Sequence, residues 1–475
     1  VLTVPPLPQA SQSARDKAKR LLEQRLGPSK VLLGEDSCAT YVSDESMVDG
    51  LVPDAVVLAT SHQDILTTLA VAYEAEVPIT PRAGGSGRTG GAVPLAGGIV
   101  LSTLGMDQII DINRAEGVAV VGPGVNLKAL HAACEAEGWF YPPDPNSASM
   151  CSIAGNVAEN AGGPRAFKYG VTRDFVLGFE AMLIGGQKFF AGRRTKKGVT
   201  GYDVAGLLIG SEGTLAVFGD ITLRLIPNPE HIMTLLVLFS DQAQAGAAVE
   251  GMTRARIVPR CIEFLDKMTL DVMREAGNSI DARAGSLLLI EVDGVESECE
   301  RQAERIADAC EEAGAVEVLV AQSASQRERL WASRREMSLA VKKRAKHKVS
   351  EDVVVPRSRL GKLLDEVRIL GERHEVTALT YGHAGDGNIH VNFLWNDPDE
   401  APRVERAVED LFRATVELGG TLSGEHGIGI VKAPYLPLEQ PESLINLQRQ
   451  LKAVFDPKDL LNPGKIFPRR GHGPC

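Results

Sequence analysis

Residues 81–103 read PRAGGSGRTGGAVPLAGGIVLST. Inside lies G-x-G-x-x-G, at Gly85, Gly87 and Gly90. That spacing suggests a dinucleotide-binding turn, which works only when a helix opens directly after the third glycine. Here Pro94, two more glycines and a strand-like IVLST follow. No helix fits, so the doubly wound Rossmann reading fails. A phosphate-binding P-loop fails too, because no Gly-Lys-Ser/Thr closes the run. What remains is a glycine loop between strands. It can offer several backbone N–H groups to an anion, or it can be an idle β-connection. On its own the loop leaves both readings open.

The surrounding pattern is α+β. Residues 14–26 form an amphipathic helix and 55–59 a short apolar strand. Ser61 is an N-cap with Asp64 as its capping-box acid, and the helix runs to about Glu76. A second strand follows at 77–80. GIVLST, QIIDIN and GVAVVGPG add strands, and Asn126 caps LKALHAACEAEG. Strands return near 181–185 and 213–225, and PNPE after Ile226 marks a boundary. Beyond it TLLVLFS, a helix over 242–254 and CIEFLD make one β-α-β unit. SLLLIEVDG, a helix over 296–313 and AVEVLVA make another. The tandem predicts a ferredoxin-like antiparallel sheet with helices on one face. Helices over 326–341, 360–370 and 403–418, a strand at DVVVP, and a tail helix ended by Pro457 complete the reading.

Composition limits the function classes. The 475 residues exceed a single core, and 44% hydrophobic with 24% charged residues is ordinary for a soluble globular protein. Net charge is −11, and KKRAKHK at 342–348 is the strongest basic run, so no nucleic-acid partner is expected. The seven cysteines include no C-x-x-C pair, which excludes a ferredoxin-type cluster and a disulfide framework. That points to a reducing, cytoplasmic compartment. The first twenty residues lack a signal-peptide core, and no run of apolar residues spans a membrane. Peripheral attachment at the inner face of a membrane stays open.

Two more glycine-rich stretches accompany the first. PPDPNSASMCSIAGNVAENAGGPRAFKYG covers 142–170 and IGSEGTLAV covers 209–217. The longer one reads as too polar for a core helix and too long for an idle loop. Three such loops suit a large cofactor with a pyrophosphate, an adenine and a polar ring system. PRAGGSGRTGGAV, PPDPNSASMCSIAGNVAENAGG, GSEGTLAV, YGHAGDGNIHVNF, SGEHGIG and LNPGKIF stand in the order found in vanillyl-alcohol-oxidase (PCMH-type) flavoproteins. The chain resembles their FAD-dependent D-2-hydroxyacid dehydrogenases, which include the glycolate oxidase D subunit, D-lactate dehydrogenase and D-2-hydroxyglutarate dehydrogenase.

The resemblance implies a two-subdomain FAD-binding domain over residues 1–226. A ferredoxin-like substrate cap follows over 227–423, and a C-terminal segment returns to the flavin over 424–475. By motif, Arg82, Gly84, Gly85, Ser86, Gly87 and Arg88 would hold the pyrophosphate. Pro143, Asp144, Ser147, Ser152, Gly155, Asn156, Asn160 and Gly162 would line the adenosine and flavin side. Glu212 and Gly213 would meet the adenine-ribose half, and Asn462 the flavin. Some relatives attach FAD through a histidine where this chain has Ser86, so non-covalent FAD is expected. Ala83 and Arg88 depart from the commoner glycine and aliphatic residue. Arg88 is either a phosphate contact or simply exposed.

TYGHAGDGNIHVNF, residues 380–393, holds two of the nine histidines. Alternation puts His390 and Asn392 on one strand face, with Ile389, Val391 and Phe393 on the other. The glycine loop lets His383 return beside His390, and GEH at 424–426 supplies a carboxylate. Two histidines and a carboxylate suit Zn²⁺, Mn²⁺ or Fe²⁺, while a histidine in a sheet is also an ordinary core residue. The resemblance implies His383, His390 and Glu425 as metal ligands, zinc or manganese first, and His426 as general base. It also implies hydride transfer from the substrate to flavin N5. Arg334 matches the arginine that grips the substrate carboxylate, with Ser338 one turn later. Lys348 and Asn392 are further candidates. D-lactate or glycolate is the expected substrate. D-2-hydroxyglutarate, a flavin-carrying subunit of a glycolate oxidase-type complex and an ether-lipid synthase are the alternatives. The electron acceptor would be a quinone, a cytochrome, an electron-transfer flavoprotein or an iron–sulfur subunit; a homodimer stays open.

Overall fold

A computed structural model describes residues 5–468 of the chain. The chain divides into two compact units. The first comprises Val1–Ala161, Val171–Asn228 and Glu425–Cys475; the second comprises Gly162–Gly170 and Pro229–Gly424. The sequence boundaries miss the short detour at Gly162–Gly170, where the chain joins the second unit and returns.

Two larger sheets, with a short ribbon pairing Trp139–Phe140 and Ile226–Pro227, build the first unit. One runs in the order Val31–Leu32, Ala55–Leu58, Ile99–Ser102, Ile79–Arg82, with its last three strands parallel. Helix His62–Ala75 lays Ile65, Leu69 and Ala72 on it, the one-face spacing of an amphipathic helix. Ser61 caps this helix by accepting from Asp64 N. The Asp64 carboxylate reaches back to Thr60 N–H, one residue short of a capping box, and binds Lys30. The other sheet is antiparallel, in the order Ile109–Asn113, Val118–Val121, Val217–Arg224, Val176–Met182, Lys188–Gly192. Its edge strand Lys188–Gly192 has no counterpart in the sequence reading, because KFFAG is too short to show a period. The C-terminal segment pairs back: Ile79 N–H donates to Leu460 O and Asn462 N–H to Ile79 O.

The stretch 142–170 is not one open loop. Helix Ile153–Glu159 occupies its centre with Ile153, Ala154, Asn156 and Val157 buried. Small residues let this helix pack closely, and their low hydrophobicity hid it.

The second unit is built on a seven-stranded sheet. Its order is Glu317–Val320, His231–Phe239, Ser286–Gly294, Cys261–Asp266, Thr377–His383, Asn388–Trp395, His347–Val354, and every pair is antiparallel. The first four have the strand order of a ferredoxin-like fold. Helices Gln242–Arg254 and Glu296–Glu312 pack together on this sheet, as expected. Helices Lys267–Glu275 and Ala324–Arg344 cover Leu265, Leu289 and Tyr381 on the opposite face. The cap therefore carries helices on both faces, not one, and Lys267–Glu275 went unread.

Asp293 anchors the inserted segment. Its fully buried carboxylate accepts from Lys168 Nζ, from Tyr169 OH at 2.7 Å and from Arg260 Nη1 at 2.7 Å. Burial alone would raise this carboxyl; Arg260 and Lys168 hold it below the usual range. Removing it leaves Arg260 buried without its closest counter-charge. Asp293→Ala is expected to cost about 3–5 kcal/mol, read as a lower denaturant midpoint of the second unit. An unchanged midpoint would refute the anchor.

Candidate functional site

The glycine loop and its partners meet in the first unit. A Cβ at Gly84 would sit 2.4 Å from Met150 O, so only glycine lets the loop meet 150–151 this closely. Gly155 lies against Ala83, and Gly91 against Glu159. Asn462 Nδ2 donates to Gly91 O and to Glu212 O, both at 2.9 Å. One side chain thus ties the first loop to the third. Asn160, Glu212 and Asn462 all hold left-handed backbone, at φ 54°, 51° and 48°. For a glutamate that geometry costs energy and marks a constrained site.

Several of these candidates make contacts within the protein. Arg82 donates to Ser43 O at 2.8 Å and lies over the Tyr41 ring, so it braces the loop from behind. The Glu212 carboxylate accepts from Ile428 N–H and Gly429 N–H at 2.8 and 2.7 Å. It orders the backbone after His426. Arg88 is exposed, and Ser86 and Gly87 are half-buried. Pro143, Asp144 and Ser147 lie on the segment before helix Ile153–Glu159, where Pro143 O meets His131. Gly162 belongs to the second unit.

The residues fit a flavin nucleotide. Ser152 Oγ, Thr103 Oγ1, Ser211 Oγ and Asn462 Oδ1 are shielded from solvent and bond to no described protein group. Buried polar atoms without partners are rare in native proteins, and a polar ligand satisfies them. Thr103 and Ser211 were not singled out in the sequence, although each flanks a glycine-rich stretch.

The second unit gathers Lys348, His383, His390 and Asn392 on one sheet face. Glu263 pairs with His383, Tyr381 and Asp352 with His390, and Ser350 with Asn392; paired residues share a face. The His383 and His390 rings stand edge to face at 5.4 Å, and Tyr381 lies 5.6 Å from His390. Arg334 stacks 5.3 Å from the Tyr381 ring centre. Lys348 Nζ is 3.5 Å from Tyr381 OH, which is 3.4 Å from Asn392 Oδ1. Ser338 is half-buried on the Arg334 helix. Glu425 follows Gly424, whose N–H bonds the Asp352 carboxylate at 3.1 Å. His426 is buried in part, and its carbonyl accepts from Thr89 Oγ1 at 3.0 Å.

Glu263 is the main residue the sequence did not reveal. His383 Nδ1 lies 2.5 Å from its Oε1, while Arg334 Nε donates to its Oε2 at 2.8 Å. Burial pushes this carboxyl up, but the charges on His383 and Arg334 outweigh that and hold it below the usual range. The signal was present: one acid inside the apolar strand CIEFLD. Tyr381, two residues before His383 and so on its face, was equally legible.

The comparisons with known proteins follow these sites. The profile of FAD linked oxidases, C-terminal domain, matches residues 228–466, and that of the FAD binding domain matches 53–189. The chain belongs to the FAD linked oxidase family and is an FAD-dependent oxidoreductase. It is 39% identical to "Glycolate oxidase subunit GlcD" of Bacillus subtilis (strain 168), over 94% of this chain and 96% of the relative. It is 32% identical to "D-lactate dehydrogenase" of Anaerostipes hadrus, over 93% and 96%. In fold it is similar to p-cresol methylhydroxylase with substrate bound, at a TM-score of 0.81 and 16% identity, over 97% of this chain and 98% of that one. The PCMH-type fold is thereby established.

Glu159 supplies a pH test of the first unit. Its Oε2 is shielded and bonds to no described protein group. Burial, then the negative charges of Glu212 and Asp44, raises its carboxyl well above the ordinary value of 4.5. A carboxyl raised in the folded state loses stability for the fold as pH climbs past its unfolded value. Glu159→Gln is therefore expected to be matched with wild type near pH 4 and increasingly more heat-stable from pH 5 to 8, measured on FAD-free protein. A constant difference across that range would contradict the burial of a neutral acid.

Proposed function

We propose that the chain oxidises a small D-2-hydroxyacid, D-lactate or glycolate, to the 2-oxoacid. The observation that carries this is one sheet face where Arg334, Lys348, His383 and His390 meet around Tyr381. The names of the relatives agree with it. When bound, non-covalent FAD supplies a two-electron sink at N5, and a divalent ion supplies Lewis acidity.

The chain's own residues divide the remaining work. Arg334 keeps Nη1 for a substrate carboxylate, because Glu263 lies against Nε and Nη2. Asn392 and Ser338 orient the substrate by hydrogen bonds. His426 accepts the hydroxyl proton on its imidazole, whose ordinary pKa suits a base near neutral pH. His383, His390 and Glu425 would hold zinc or manganese. The His383 and His390 rings, 5.4 Å apart on paired strands, support this reading. Lys348 gives a second reading its support: a second cation on this face suits a dicarboxylate such as D-2-hydroxyglutarate. Electrons would leave to a quinone, a cytochrome, an electron-transfer flavoprotein or an iron–sulfur subunit, as a partner of a GlcD-type subunit. No described helix is long and apolar enough to cross a membrane, and peripheral attachment is compatible with that.

Anaerobic mixing of the yellow, FAD-loaded protein with D- and L-2-hydroxyacids tests the proposal. Rapid bleaching by D-lactate or glycolate is expected, with L-lactate inert and loss of bleaching after chelation. His426→Ala is expected to slow flavin reduction by about 10²–10⁴-fold. Full bleaching after the ion is stripped would remove the metal role. Protein left yellow by every hydroxyacid would overturn the assignment.

A further inference from the structure

We propose that Glu263 is a positioning residue that couples the metal-ligand histidine to the substrate-gripping arginine. The inference rests on the functional reading above and names how that site is held in shape. Both oxygens of this one carboxylate are engaged. Oε1 lies 2.5 Å from His383 Nδ1. Oε2 accepts from Arg334 Nε at 2.8 Å, with Nη2 at 2.6 Å. Glu263 is fully buried, and Arg334 and His383 are only 5% and 2% exposed. Water does not compete for these contacts.

The chemistry follows from the donor inventory. An ionised carboxylate only accepts, so the hydrogen between Oε1 and Nδ1 sits on His383 Nδ1. In the neutral ring that fixes the tautomer: Nε2 carries the lone pair, and Nε2 is the nitrogen that would ligate. The ring is also held in rotation, as carboxylate–histidine pairs do at metal centres. On the other side, Oε2 takes the Nε edge of the guanidinium. The planar fork is thereby held at its Nε edge, and its rotation about the side-chain axis is stopped. The strand pairing of Glu263 with His383 sets the first contact. The helix Ala324–Arg344 supplies the second. A shift of Glu263 therefore moves the ligand nitrogen and the carboxylate grip together, which neither a lone histidine nor a lone arginine would do.

Glutamine at 263 keeps the size of the side chain but has one acceptor oxygen, so His383 and Arg334 cannot both be served. Glu263→Gln is expected to keep its far-ultraviolet circular dichroism and weaken zinc binding by about 10–100-fold. It is also expected to raise KM for D-lactate, because the same change frees the guanidinium. The control needs no variant: ¹⁵N-histidine spectra of the metal-free wild type should show His383 protonated at Nδ1 and not at Nε2. Wild-type protein whose neutral His383 ring is protonated at Nε2 and not at Nδ1 would overturn the proposal, and so would a folded Glu263→Gln with wild-type zinc affinity. If the variant fails to fold, the wild-type spectrum decides. Wild type that shows the Nδ1–H tautomer yet binds no zinc would overturn the metal reading and leave the hold of Glu263 on His383 standing.

Discussion

The register of one hairpin governs the second unit. Thr377–His383 and Asn388–Trp395 pair so that Tyr381 stands opposite His390. Side chains alternate across a sheet, so a slip by one residue would turn His390 and Asn392 to the apolar face and bring Val391 to the site. Gly387 makes the turn possible. It has φ 84°, and a Cβ there would lie 2.1 Å from Val355 O. The neighbouring strand Cys261–Asp266 pairs with the first arm and brings Glu263 to His383. His347–Val354 pairs with the second and brings Asp352 to His390. Each polar residue is placed by the ladder, and each is buried because helices close both faces of the sheet.

The first unit solves a different problem, holding backbone close to a flat polar ligand. Its means are tied loops. Asn462 links the glycine loop to Glu212, and Glu212 binds the two N–H groups that follow the His426 turn. The C-terminal segment is therefore tied to the glycine-rich loops of the first unit. Lys452 secures it from below, with Nζ donating to Thr214 O and Leu461 O at 2.9 and 2.8 Å.

Much of this was legible in the sequence. Short apolar runs such as TLLVLFS and SLLLIEVDG gave the ferredoxin-like strands, and Ser61 and Asn126 gave helix starts that hold. The missing helix after Gly90 removed the Rossmann reading. Illegible features have physical reasons. Helix Ile153–Glu159 is made of small residues whose burial comes from close approach, not from hydrophobicity. Glu263 is one acid in an apolar strand, and its partners are distant in sequence. The resemblance implies Arg334 as a substrate clamp, and its ion pair to Glu263 needed the tertiary fold. The roles of Arg82 and Glu212 as braces followed only from their partners, Ser43 O and the 428–429 backbone.

The central claim is that the two histidines of the hairpin, with the acid that follows Gly424, hold an ion at the end of the Glu263 contact. Anomalous diffraction at the zinc edge, from crystals grown with FAD and zinc, tests it most directly. The account predicts a peak bonded to Nε2 of His383, to His390 and to Glu425, with Glu263 on His383 Nδ1. Bound flavin with no peak at these residues would contradict it.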